Sequence, residues 1–162
     1  MRAFLFLSVI SLSLGLITGT AAATNYRDVQ RAVSDDTMLQ TAGVTPADAQ
    51  LRQQCSAAII ETDDPPEFFD CVYVQTEKDL NLFSLEDGYL MSELQLKLHN
   101  MDGVALQRMG KYSQVQIFNG DQVTALYIHD KSWIDTAQTE HVYQWLLAHG
   151  VAERQPRKWI GK

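Results

Sequence analysis

Cysteine is scarce in this chain, because only Cys55 and Cys71 occur among its 162 residues. The pair does not form the C-x-x-C motif of thioredoxin-like redox sites, and two cysteines with no histidine nearby are too few for a zinc site. An even pair in an oxidising compartment is expected to oxidise, and closing a loop of about 15 residues stabilises a fold by roughly 3 kcal/mol. We therefore predict a structural disulfide between Cys55 and Cys71.

Motifs that carry catalysis or bind cofactors are also missing. The sequence has no G-x-S-x-G nucleophile turn, no G-x-x-x-x-G-K phosphate loop and no G-x-G-x-x-G dinucleotide loop. The acids between the cysteines lack the alternating oxygen ligands and central glycine of an EF-hand calcium loop, so we expect them to serve as helix caps and solvated residues. These acids are Glu61, Asp63, Asp64, Glu67 and Asp70. We predict no cofactor and no metal, and an enzyme is not favoured.

Basic residues are few relative to acids. The chain has 13 Lys and Arg against 20 Asp and Glu, which gives a net charge of −7. Neutralising phosphates requires clustered lysine and arginine, so this charge disfavours nucleic acid and anionic membrane as partners. We expect the partner to be another protein.

The long apolar run is confined to the N-terminus. Arg2 is followed by an uncharged apolar stretch over residues 3–17 and then by the small residues 21–23, an order typical of a secretory signal peptide. The alternative is a retained membrane anchor, because a span needs only about 20 apolar residues. Serines interrupt the run, and this favours cleavage after Ala23. We predict a signal peptide over residues 1–23, a secreted or periplasmic location, and no stable membrane insertion after cleavage.

The first part of the mature chain, residues 24–80, is predicted to be mainly helical. We expect one short helix after Asn25 and another over residues 34–42. Thr45 and Pro46 signal a further helix start, because they suit the N-cap and the first helical position. Apolar residues then recur at helical spacing, which places Cys55 on a buried helix face. They are Ala47, Leu51, Cys55, Ala58 and Ile59.

A second start signal follows at Asp64, where a proline pair and then Glu67 form a capping-box arrangement. We favour a helix over residues 67–76, although residues 72–74 also suit a strand. A hairpin that turns near Asp63 brings the two cysteines level with each other under either interpretation.

Alternating apolar and polar residues predict an antiparallel β-meander over residues 90–130. Residues 90–100 fit both a strand and a helix by spacing, and we favour the strand because β-like runs follow. A turn at residues 101–103 is expected to let residues 104–109 pair back onto that strand. The Asn-Gly pair at residues 119–120, between two β-rich runs, is a strong hairpin signal.

A last helix is predicted over residues 136–149, with Val142, Trp145 and Leu146 on its apolar face and a stop at Gly150. The fold class that results is α+β: N-terminal helices with a disulfide-linked hairpin, then an antiparallel meander and a C-terminal helix. We expect one domain over residues 24–162, which ends in a basic tail at 150–162.

Two groups of residues are candidate sites. His129 and Asp130 at a strand end, with His141 near the start of the last helix, offer ligands for a metal or a base with its orienting partner. Arg157, Lys158 and Trp159 in the tail offer a basic and aromatic surface for a partner. The alternative for the tail is that it folds back on the acidic body and buries Trp159.

Three functions remain open from the sequence. We expect an exported, non-enzymatic protein-binding module, of the inhibitor or immunity type. A small-ligand carrier or hydrolase near His129 and His141 is the first alternative, and it requires a pocket lined by those side chains. An accessory subunit of an envelope or surface assembly is the second, and it requires an exposed apolar patch or an unpaired strand edge.

Overall fold

A computed structural model describes residues 26–61 and 66–158 of the chain. The predicted signal peptide, the turn at Asp63 and the tail residue Trp159 lie outside these ranges. Within them, no helix is both long enough and apolar enough to cross a membrane.

The described chain consists of eight strands and three α-helices. Two short helices come first, α1 (Tyr26–Ser34) and α2 (Asp36–Thr41), and a single 3₁₀ turn follows at Pro46–Asp48. Seven long strands then run in sequence, with a second 3₁₀ turn at Leu98–Asn100 after the fourth. They are β1 (Leu51–Ile60), β2 (Glu67–Gln75), β3 (Asp79–Glu86), β4 (Tyr89–Lys97), β5 (Gly103–Met109), β6 (Tyr112–Asn119) and β7 (Gln122–Asp130). The short β8 (Trp133–Ile134) leads into the C-terminal helix α3 (Thr136–Ala148).

All strand pairs are antiparallel, and they form one sheet in the order β4-β3-β2-β1-β7-β6-β5, with β8 paired to the end of β7. The sheet therefore consists of two meanders, β1 to β4 and β5 to β7, joined where β1 pairs with β7. This order places β4 and β5 at the two edges.

The two faces of the sheet are covered by different helices. The apolar side of α3, which includes Val142 and Leu146, packs on the first face against side chains such as Leu126 and Ile128 of β7. Helix α1 packs Val29 on the second face, against the β2 and β3 side chains Val72, Val74 and Phe83. Burial of these apolar surfaces is the main stabilising contribution to the fold.

The helix predicted after Pro46 is wrong. The start signal is real, but the turn ends at Asp48 and residues 51–60 form β1. Both faces of this central strand are buried, so apolar residues occur at even and odd positions. Cys55 and Ala57 point to the first face and Ala58 to the second, and such a double set imitates helical spacing.

The favoured helix at residues 67–76 is wrong for the same reason, because this segment is β2 and the disulfide-linked hairpin is a β-hairpin. Within the region 24–80, helices are therefore found in the described chain only between residues 26 and 48. The predicted pairing of 104–109 with the preceding strand is also wrong, since β4 and β5 lie at opposite edges of the sheet.

Other predictions are confirmed. Residues 89–97 form a strand, the Asn-Gly pair joins β6 to β7, and two short helices occupy the start of the described chain. Asp35 caps α2, because its Oδ1 accepts from the backbone N–H groups of residues 37 and 38. Helix α3 ends before Gly150, whose φ of +84° lies in the left-handed region that favours glycine.

Candidate functional site

The predicted disulfide is present and lies in the core. Cys55 and Cys71 are directly opposite each other in the β1–β2 pair, with their Cα atoms 4.8 Å apart. Both are buried and belong to the apolar cluster beneath α3. The bond therefore joins the first two strands of the first meander, in the middle of the sheet, and is shielded from solvent.

The three side chains predicted to line a site are not gathered into one. His129 is half-buried on the second face, Asp130 is exposed at the end of β7, and His141 is exposed on α3, which covers the first face. Over residues 26–61 and 66–158, no group of three or more His, Cys, Asp or Glu is placed to hold a metal ion.

His129 instead joins a polar cluster that the sequence did not indicate. The Ser56 hydroxyl donates to Asp70 Oδ1 at 3.1 Å, and its Oγ lies 2.9 Å from Nε2 of His129. Because Ser56 has only one proton to donate, Nε2 must carry the proton that bonds Ser56 Oγ. Ser56 lies between the carboxylate and the imidazole. In a catalytic triad the histidine lies between the serine and the acid, so these three residues are not arranged as a triad.

Burial favours the neutral form of the His129 imidazole. Desolvation lowers the pKa of His129, and the negative charge of Asp70 opposes the shift. Gln54, the cross-strand neighbour of His129, has a buried Oε1 with no hydrogen-bond partner. Gln54 and Ser56 lie at even positions of β1, and Asp70 and His129 lie on the neighbouring strands β2 and β7. The cluster could have been predicted only if β1 had been recognised as a strand.

A cavity of about 690 Å³ opens on the second face, between the α2–β1 connection and the outer strands β3 and β4. Asn81, Phe83, Ser92 and Gln95 contribute from the strands, and the walls come from residues 42–50 and from the β2–β3 turn. Phe83 is almost fully buried in the apolar core under α1, and Ala42, Val44 and Ala47 of the α2–β1 connection add apolar atoms to a mainly polar lining.

Charge in this cavity is predominantly negative. Asp48, Glu77 and Asp79 line it together with one basic residue, Lys78. Gln95 donates to Asp79 Oδ2 at 3.3 Å, which holds that carboxylate against β4. The two ion pairs found in the described chain, Arg52–Asp36 and Arg108–Glu140, leave these three acids unpaired.

The outer edge of β4 carries exposed apolar side chains. Tyr89 is 64% exposed and Met91 is 47% exposed, and the only other large apolar side chain so exposed in the described residues is Trp133. No strand of the described chain pairs with the outer side of β4. The register shifts after Leu82 and leaves Glu93 as an extra residue, which is a β-bulge.

The described part of the basic tail folds back on the sheet. Residues 152–154 run beside Val104 at the start of β5, and the backbone N–H of Arg157 donates to Gln116 Oε1 at 2.8 Å. The guanidinium groups of Arg154 and Arg157 lie 5.4 and 5.9 Å from the centre of the Phe118 ring. Arg157 and Lys158 remain exposed.

Comparison with known proteins gives no family for the chain. No protein-family model and no curated protein matches it. Solved structures with a similar shape include the Vav1 exchange factor with its PH and C1 domains (12% identity, 78% of this chain, 33% of that chain, TM-score 0.47). Vav1 bound to an allosteric inhibitor is also similar (10% identity, 76% and 32%, TM-score 0.45).

A third similar structure is the hSac2 domain of the human phosphoinositide phosphatase Sac2, with 12% identity, 69% of this chain, 80% of that chain and a TM-score of 0.40. The chain spans about a third of the Vav1 chains that it matches. These likenesses are too distant to bear on function.

Proposed function

We propose that this chain is an exported, non-enzymatic module that binds another protein at the β4 edge, the surface made by Tyr89, Met91 and the outward-facing backbone of β4. The observation that carries the proposal is that two exposed large apolar side chains lie on a strand with no described neighbour on its outer side. The predicted signal peptide and the Cys55–Cys71 bond support export.

An unpaired edge strand can bind a partner directly. Its free N–H and C=O groups form a ladder with an extended segment of another chain, and side chains beside the ladder provide selectivity. Tyr89 and Met91 point to the same face of β4, because they are two residues apart. They add apolar contact area next to that ladder, and tyrosine and methionine are both enriched at protein interfaces.

The bulge at Glu93 shapes this edge. Edge strands invite uncontrolled pairing with further copies of the same chain, and bulges reduce that tendency by twisting the edge. The bulge divides β4 into residues 89–92 and 94–97, so an added segment meets a short ladder beside Tyr89 and Met91. Such a ladder favours a selective partner over open-ended self-association.

The two alternatives fit the geometry differently. A carrier or hydrolase centred on His129 and His141 required one pocket lined by both, and the two side chains lie on opposite sides of the sheet. An accessory subunit of an envelope assembly uses the same β4 edge as the proposed module. It differs from that module in remaining permanently bound to its partner.

Selection from a library of random linear peptides, long enough to lie along β4, tests the proposal on the oxidised protein recovered after export. Peptides that bind the wild-type protein are then measured against the double variant Tyr89→Ser/Met91→Ser. Trp133→Ser is the matched control, because it removes an exposed large apolar side chain away from β4.

We expect the double variant to bind at least about tenfold more weakly, because it loses the apolar contacts of two side chains. The control should bind as the wild type does. Equal binding by the double variant, or a library without binders, would contradict the proposal.

A further inference from the structure

The cavity on the second face borders the β4 edge. Ser92 and Gln95 of β4 line it, and Gln95 donates to the cavity acid Asp79. Because side chains alternate between the faces of a sheet, a segment added beside β4 places every second side chain on the face where this cavity opens, and those beside Ser92 and Gln95 lie next to it. The intervening side chains point to the first face, where Tyr89 and Met91 are exposed.

The cavity selects for positive charge by its composition. Three carboxylates, Asp48, Glu77 and Asp79, line it against one lysine, Lys78. Lys97 is the cross-strand partner of Asp79, but the described side chains of the two form no ion pair. The net charge of −7 adds a long-range attraction for a basic partner.

Size and polarity also fit a long basic side chain. About 690 Å³ exceeds what one lysine or arginine occupies, so water can share the site with it. Ala42, Val44 and Ala47, which line the cavity and are not buried, provide apolar surface for the methylene stem, while the lining carboxylates supply the opposite charge for its end.

We infer that the cavity is a specificity pocket for a lysine or arginine of an extended partner segment bound at the β4 edge. This inference rests on the proposed function and adds the chemistry of the partner. The partner segment then alternates, with basic side chains towards the cavity and apolar side chains beside Tyr89 and Met91.

The peptide library provides the test, because the sequences of its binders report side-chain preference. We expect binders in which a lysine or arginine alternates with apolar residues. Asp48→Asn/Asp79→Asn should weaken these peptides at least about tenfold, since loss of a hydrogen bond to a charged group weakens binding by about that factor. Asparagine retains an oxygen that can accept from Gln95.

The matched control is Asp121→Asn, which removes an exposed carboxylate in the turn between β6 and β7. It changes the net charge without touching the cavity, and it should leave peptide affinity nearly unchanged. Replacing the basic residue of a bound peptide by glutamine should weaken its binding to the wild-type protein about tenfold. The same replacement should weaken binding to Asp48→Asn/Asp79→Asn much less.

The outcomes separate the two claims. Peptides that depend on Tyr89 and Met91 but show no basic preference, or that ignore Asp48→Asn/Asp79→Asn, would overturn this inference and leave the proposed function standing. Binders that do not depend on Tyr89 and Met91 would overturn the proposed function itself.

Discussion

Removing the disulfide should cost the protein about 3 kcal/mol of unfolding free energy. The bond joins residues 16 apart in sequence. In the chain-entropy model, closing a loop of this length lowers the conformational entropy of the unfolded chain and so stabilises the fold by about 3 kcal/mol. Cys55 and Cys71 are buried, so alanine is the better replacement because serine would bury two hydroxyl groups. The loss should affect the whole domain, since β1 and β2 lie in the middle of the sheet.

Urea unfolding monitored by circular dichroism measures this loss. The oxidised wild type, the reduced wild type and Cys55→Ala/Cys71→Ala are compared at neutral pH. We expect both unlinked forms to show a lower midpoint and a larger m-value, because the unlinked denatured chain exposes more surface. Reductant should not alter the double variant. Unlinked forms that agree with the oxidised protein to within about 1 kcal/mol would refute the chain-entropy reasoning.

Three further predictions concern individual side chains. Leu146→Ala, at a fully buried position of α3, should cost about 2–5 kcal/mol in urea unfolding, while the partly exposed Leu147→Ala should cost clearly less. Burial lowers the pKa of His129, so the stability that neutral His129 contributes is complete above the ordinary pKa of 6.5 and is lost as the pH falls through the lower folded pKa. His129→Gln should therefore make the free energy of unfolding depend less on pH below 6.5. The hydrogen bond to Glu153 raises the pKa of Tyr143 to about 12, so the stability that this bond contributes is present below pH 10 and lost between about pH 10 and 12. Burial also raises the pKa of Tyr73 and of Tyr127, so Tyr143→Phe should remove one of several late phenol ionisations from a spectrophotometric titration, and an unchanged titration would contradict the assignment.

Local signals predicted the elements at the two ends of the described chain. The apolar spacing within α3 and the Gly150 that follows its end are short-range features that need no tertiary information. The Asn119-Gly120 turn is of the same kind. The central strands were missed because both of their faces are buried, so Cys55 and Ala58 gave a helical spacing that only the neighbouring strands explain.

The strand order was the second feature that was predicted wrongly. Sequential strands usually pair, which led to the predicted pairing of residues 104–109 with the strand before them. Instead, β7 returns to β1, and β5 is left at the far edge of the sheet. The cavity and the exposed β4 edge depend on this strand order. Neither could be located from the sequence, because the residues that form them match no local motif.

The disulfide was predictable because it followed from the single pair of cysteines, the predicted export and a hairpin near Asp63, whichever element held each cysteine. The polar cluster of Ser56, Asp70 and His129 was not predictable, since its members come from three strands and meet only through the sheet register.

Backbone hydrogen exchange followed by NMR shows which edge of the sheet the partner occupies. A peptide selected on the wild-type protein is added, and the exchange rates of the amides in β4 are compared with those in β5, the other edge strand. If the partner adds to the β4 edge, the outward-facing amides of residues 89–92 become protected and those of residues 103–109 do not. Protection of β5, or of the strands around His129, without protection of β4 would contradict the account.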